Sequence, residues 1–230
     1  MEQKTEKDER KSKRIPKKLL GETVSHILAE IYPDAECALN YKGDPWKLLV
    51  MARLSAQCTD ARVNLVCEAL FEKLPTMEAM ANADISVIEE LIRSCGLYHM
   101  KAKDLKEMSR QLIDEHSGQV PSDMDDLLSL SGVGRKIANL IRGDLYHLPA
   151  IVADTHCIRI CGRLGFYPES LKDPVKVERE LVKVIKPSEQ SDFCHRIVLF
   201  GRETCSSRAP KCDGCPLNKI CKKYAKEHKI

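Results

Sequence analysis

Four closely spaced cysteines near the C-terminus constrain this chain more than any other feature. Cys205, Cys212, Cys215 and Cys221 follow the pattern C-x6-C-x2-C-x5-C. Pro210, Gly214 and Pro216 force turns between them, which lets the thiolates converge on one point. The segment is polar and carries almost no local core, so ligation has to supply its folding energy. Four thiolates at one site hold an iron–sulfur cluster or a structural zinc, and spacing alone leaves both open. The other seven cysteines (Cys37, Cys58, Cys67, Cys95, Cys157, Cys161 and Cys194) read as small core residues on apolar helix faces. Eleven cysteines behind a start that lacks an apolar signal region point to a reducing, cytoplasmic setting. No apolar run approaches the roughly 20 residues of a membrane span.

The rest of the chain is written in helical periods. Apolar clusters recur at three- and four-residue spacing over 19–31, 46–56, 59–74 and 101–116. Ser86 with Glu89 reads as a capping box ahead of Leu91 and Ile92, in a helix that Gly96 ends. Pro121-Ser122 reads as the opening of a helix through Leu130. Further helices are expected over 135–146, 154–164, 174–186 and 190–200. Alternating β-branched residues are scarce, so the expected fold is all-α, with a core that 43% hydrophobic residues can fill.

Charge is unevenly placed. The formal net charge is only +3, but residues 1–18 carry eight Lys/Arg against four Asp/Glu. Residues 135–163 carry five against two, and residues 201–230 carry eight against three. The remainder is therefore acidic, at −9. Basic segments set against an acidic body match a phosphate backbone. The first 18 residues read as a solvated, flexible extension.

The two other basic segments contain motifs. Residues 127–140 read LLSLSGVGRKIANL, a helix, a tight glycine turn and a second helix. The amides of Gly132, Val133 and Gly134 beside a helix N-terminus can hold a phosphate without reading a base. Lys136 lies in the first turn of the second helix, next to Arg135. A helix start disfavours a cation, and nucleophilic lysine chemistry needs a neutral amine. Further on, Ile151-Val152-Ala153 leads into Asp154, which reads as an N-cap for a helix that opens with Thr155 and His156. His156 reads as a hydrogen-bonding structural residue.

Together these pieces resemble the endonuclease III family of DNA glycosylases, in the helix-hairpin-helix superfamily. The resemblance covers about residues 45–230. It rests on SAQCTD at 55–60, GLYHMKA at 96–102, LSGVGRKIAN at 130–139, ADTH at 153–156 and the four cysteines, in the family's order and spacing.

The resemblance implies a [4Fe–4S] cluster on Cys205, Cys212, Cys215 and Cys221. It implies two helical domains flanking a DNA cleft. One is a six-helix barrel over 38–148, with its hairpin at about 123–146. The other combines 19–37 with 149–230 and carries the cluster loop, 205–221. Lys136 takes the position of the catalytic lysine, and Asp154 that of the essential aspartate. Gln57 and Leu97 fall on the positions that fill the gap left by a flipped nucleotide. Asp60 and His156 fall near the damage pocket, and Arg208 and Lys211 on a basic loop held against DNA. Four departures stand out. Ser131 replaces a frequent proline, Ala153 a common valine and His99 a frequent asparagine. Residues 142–146, RGDLY, break a small-apolar pattern near the pocket.

The expected activity is that of a monomeric glycosylase and abasic-site lyase acting on double-stranded DNA with oxidised pyrimidines. A related adenine glycosylase lacks the lysine and carries a further C-terminal domain, whereas this chain has Lys136 and ends at Ile230. A non-catalytic DNA-binding module would not need Lys136 and Asp154 together.

Overall fold

A computed structural model describes residues 15–229. Most of the expected charged extension, residues 1–14, lies outside the described residues. All regular structure among the described residues is helical. The α-helices are α1 (Lys17–Ile31), α2 (Pro45–Leu54), α3 (Asp60–Lys73), α4 (Met77–Asn82), α5 (Ile85–Ile92), α6 (Tyr98–His116), α7 (Met124–Ser129), α8 (Arg135–Tyr146), α9 (Thr155–Leu164), α10 (Pro174–Leu181), α11 (Gln190–Glu203) and α12 (Lys222–His228).

Side-chain caps set many of the boundaries. Asp44 accepts from the Lys47 amide and Thr59 from that of Arg62. Asp123 accepts from the amides of Asp125 and Asp126, so α7 begins at Met124 rather than at Pro121. The capping box expected at Ser86 does not form. Ser86 lies inside α5, whose N-cap position is Asp84. The helix expected over 174–186 ends at Leu181, where β-branched Val182, Val184 and Ile185 lead into Pro187. Helices α4 and α12 are short and escaped the periodicity.

Burial divides the molecule into two apolar clusters. The first runs from Leu39 to Ile141 and takes its side chains from α2 to α8. The second joins Leu20, Val24 and Leu28 of α1 to residues from Ile151 to Leu217. The chain thus begins on the second cluster, builds the first, and returns. Cys157, Cys161 and Cys194 are buried in the second cluster, and Cys67 and Cys95 in the first. Cys37 and Cys58, expected on helix faces, instead lie in the segments before α2 and α3.

Polar bonds join the two clusters. Arg135 of α8 grips Glu178 of α10 through two bonds of 2.7 Å. Asp144 of α8 accepts from Ser191 and pairs with His195 of α11, each at 2.8 Å. A Cβ on Gly143 would come within 2.6 Å of Ser191 Oγ, so only glycine permits this approach of α11. The unusual residues 142–146 therefore have structural work. Arg142 donates to the Ser122 carbonyl at 2.6 Å, and the Tyr146 hydroxyl donates to that of Val120.

Candidate active site

Three neighbours brace the hairpin. The Ser131 amide donates to Gln111 Oε1 at 2.7 Å, and its hydroxyl donates to Asp104 Oδ1 at 3.2 Å. Ser131 thus anchors the start of the turn through both its amide and its hydroxyl. Gly132 has φ +75°, and a Cβ there would come 2.6 Å from Arg53 Nε and 2.8 Å from Asp104 Cβ. Arg53 is itself held by Asp104, with Nε 2.7 Å from Oδ2. The Val133 side chain is buried in the first cluster, and its amide donates to the Leu130 carbonyl. Gly132 and Gly134 are exposed. The first backbone bond of α8 runs from the Ala138 amide to the Gly134 carbonyl, so the amides just before it have no partner within the helix. The hairpin therefore presents donors at the positive end of α8.

A cavity of about 450 Å³ opens beside this turn, between the two clusters. Lys136, Asp154, Asp60, His156, Gly132 and Gly134 all line it. Residues distant in sequence thus share one site. Its apolar wall includes Leu39, Ile137, Leu140, Val152, Val198 and Leu199. Arg202 Nη2 lies 2.8 Å from Asp60 Oδ2, joining α11 to the start of α3 at the rim. Residues 142–146 do not line this cavity.

Asp154 caps α9, as its position before Thr155 suggested. Its Oδ1 accepts from the Cys157 amide at 2.7 Å. Its Oδ2 makes no hydrogen bond among the described residues. Burial lowers the pKa of His156, with help from Arg159, Arg202 and Lys136, while Asp154 opposes the shift. His156 Nδ1 lies 3.2 Å from Arg159 Nη2, which also donates to the Cys205 carbonyl at 3.1 Å. Gly201 makes room for this arrangement, since a Cβ there would lie 2.4 Å from His156 Nδ1. Two cavity thiols are poor nucleophiles. Burial pushes Cys37 up to about 12, and a hydrogen bond with Cys157 together with burial raises Cys194.

The four C-terminal cysteines line a second pocket. Arg163 holds its rim: Nη1 donates to the Ser206 carbonyl at 2.7 Å and reaches Cys205 Sγ at 3.3 Å, and Nη2 donates to the Ser207 carbonyl at 2.9 Å. Burial raises the pKa of Cys212, Cys215 and Cys221, and neighbouring cysteines raise each further. Among the described residues no three His, Cys, Asp or Glu side chains converge on a single metal ion. An all-sulfur donor set around one pocket suits a metal centre held by thiolates.

Other expected site residues lie outside the cavity. Gln57 and Leu97 are both exposed, and both adopt left-handed backbone, with φ +55° and +50°. Such conformations are costly away from glycine and cluster at functional positions. The Arg135 guanidinium is engaged by Glu178, which leaves its backbone amide at the helix start. Arg208 and Lys211 are exposed on the loop after Cys205. Sequence reading missed Arg53 of α2 and His195 and Arg202 of α11, which line the cavity from two separate helices. No local motif marks them, because only the packing of α2 and α11 around the hairpin brings them there.

Comparison with known proteins agrees with this architecture. Residues 50–187 match the model of the HhH-GPD superfamily of base excision DNA repair proteins. The chain is 40% identical over 210 residues to Endonuclease III of Synechocystis, covering 91% of this chain and 94% of that one. It is 36% identical over 194 residues to Endonuclease III of Escherichia coli K12, covering 84% and 90%. Among solved structures, a non-covalent Endonuclease III–DNA complex superposes with a TM-score of 0.86 at 38% identity, covering 94% of this chain and all of that one. A trapped covalent Endonuclease III–DNA intermediate gives 0.86 at 39% identity, covering 93% and 99%.

Proposed function

The chain belongs to the endonuclease III family of the HhH-GPD superfamily, and from that premise we infer that it is a bifunctional DNA glycosylase and abasic-site lyase of base excision repair. The observation that carries this reading is one cavity lined by both Lys136 and Asp154, beside a hairpin that presents phosphate-binding amides. The covalent DNA intermediate formed by a relative of 39% identity supports it.

A base inside a duplex is out of reach, so the damaged nucleotide must leave the stack, which costs a few kcal/mol. Gln57 and Leu97 fill the space it leaves. The amides of Gly132 and Gly134, with Arg208 and Lys211, hold the phosphates. Val133 contributes by closing the turn, and Arg135 by its first-turn amide. Lys136 Nζ attacks C1′ of the sugar as a neutral amine and gives up a proton, and the base leaves with the electron pair of its bond to C1′ and takes up a proton. The C1′–O4′ bond then opens, with O4′ taking a proton, to give the Schiff base, and loss of a C2′ proton expels the 3′ phosphate by β-elimination. The Asp154 carboxylate stabilises positive charge that develops on the sugar. Asp60 and His156 shape the pocket wall, where His156 serves as a neutral hydrogen-bonding group.

We assign Cys205, Cys212, Cys215 and Cys221 as ligands of a [4Fe–4S] cluster. When bound, that group supplies ligation energy that orders the loop. The chain's own residues do the base removal, and Arg159 and Arg163 fix the loop to α9. The two apolar clusters serve as cores of two domains, 38–148 and 19–37 with 149–230. The preferred substrates are oxidised pyrimidines, the enzyme acts as a monomer, and its setting is the bacterial cytoplasm.

Borohydride trapping tests the lysine. Wild-type protein is expected to form a covalent adduct with duplexes carrying thymine glycol or an abasic site, and Lys136→Ala to form none. Undiminished trapping in that variant moves the nucleophile elsewhere. Binding with no trapping by the wild type favours a non-catalytic module.

A further inference from the structure

Lys101 is a fully buried lysine for which the reaction outlined above has no use. It belongs to the GLYHMKA segment and closes the first turn of α6, where its amide donates to the Leu97 carbonyl at 3.0 Å. Its Nζ donates to the Leu54 carbonyl at 2.7 Å and to the Cys95 carbonyl at 2.6 Å. Burial is costly for an ammonium and lowers the pKa of this one. Two carbonyl oxygens accept from the side-chain nitrogen, so the buried group is not left without partners.

The two carbonyls belong to separate segments. Leu54 ends α2, three residues before Gln57. Cys95 closes the 3₁₀ turn after α5, two residues before Leu97. Gln57 lies inside a turn in which the Cys58 amide donates to the Ser55 carbonyl at 3.2 Å, and Leu97 occupies the N-cap position of α6. Both residues are exposed and left-handed. Backbone held in such conformations needs surroundings that over-determine it. Lys101 is a shared anchor for the two segments that lead into them.

We propose that Lys101 is a positioning residue for duplex intrusion: it ties the end of α2 to the turn before α6 and sets the separation at which Gln57 and Leu97 enter DNA. This rests on the reading of Gln57 and Leu97 as gap-filling residues. Their geometry matters only where a second strand and a stacked helix must be held open. An abasic site in a single strand needs no gap filled, yet uses the same lysine chemistry at Lys136.

The test compares strand cleavage of one abasic oligonucleotide as a duplex and as a single strand. Four proteins are measured: wild type, Lys101→Met, the pair Gln57→Ala with Leu97→Ala, and all three substitutions combined. Lys101→Met is expected to lose about tenfold or more on the duplex while staying within about twofold on the single strand. In the background lacking both intruding side chains, Lys101→Met should change the duplex rate no further, because residues that act through one another are not additive. Loss of folded protein lowers both rates alike, so the ratio of the two carries the result. Lys101→Gln, which keeps an amide donor, is expected to fall between wild type and Lys101→Met in that ratio.

Equal losses on both substrates would make Lys101 a plain stability residue and overturn the proposal. Full additivity in the combined variant would overturn it as well. If removing Gln57 and Leu97 leaves duplex cleavage at the wild-type rate, the gap-filling reading itself fails, and this proposal with it. If that removal slows the duplex but Lys101→Met does not, only the role of Lys101 fails.

Discussion

The Cys157 amide donates to Asp154 Oδ1 at 2.7 Å, so the proposed catalytic carboxylate is also the N-cap of α9. The two roles predict different things of different substitutions. Asp154→Asn keeps a cap acceptor and should melt close to wild type, whereas Asp154→Ala should lose about 1 kcal/mol of stability. If the carboxylate stabilises charge on the sugar, both variants should lose about a hundredfold in turnover or more. Thermal melts beside single-turnover base release check this. Full activity in Asp154→Asn would reduce Asp154 to its cap.

Gly132 combines a left-handed backbone with close contact to Arg53 and Asp104. Gly132→Ala should cost about 1–3 kcal/mol and displace the turn that presents the phosphate-binding amides. Chemical denaturation measures the first effect, and affinity for an undamaged duplex the second. Unchanged affinity in a folded variant would remove the hairpin from the interface.

Burial holds His156 below the usual histidine range, so the folded protein binds fewer protons there than the unfolded chain. The sign follows from that difference. The contribution is complete above the ordinary value of 6.5 and declines as acidification passes through the lowered one. Melting temperature should fall more steeply for wild type than for His156→Gln between about pH 8 and about pH 5. Parallel curves would show that the imidazole titrates freely.

Cys212→Ala should abolish visible iron–sulfur absorbance and open residues 205–221 to proteolysis, while the first apolar cluster stays folded. A colourless, zinc-loaded and active wild-type protein would contradict the cluster assignment.

Much of the site could be read without coordinates, because its parts are local. The glycine turn, Lys136 one residue into α8 and Asp154 before α9 each sit within a short, chemically marked segment. Cavity residues Arg53, His195 and Arg202 have no such marking. Arg53 comes from α2 and the other two from α11, and they share a site only through packing. Lys101 was hidden for a different reason. A lysine on an amphipathic helix reads as polar face, and nothing in the helical period shows that its side-chain nitrogen turns inward toward two carbonyls. Ser86 and Glu89 show the reverse error: they have the spacing of a capping box, but α5 starts one residue before Ser86. Residues 142–146 looked like pocket residues by position, yet Gly143 and Asp144 serve the contact with α11.

The route of the chain has a consequence for synthesis. Leu20, Val24 and Leu28 are made before any residue of the first cluster, but their partners span Ile151 to Leu217. The cluster from Leu39 to Ile141 can collapse on the nascent chain as soon as α8 clears the ribosome. Helix α1 must wait, with its apolar stripe uncovered, until α9 to α11 have emerged. A nascent chain stalled before α11 would thus carry a finished first core and a sticky, unpaired first helix, which is the kind of intermediate that chaperones hold.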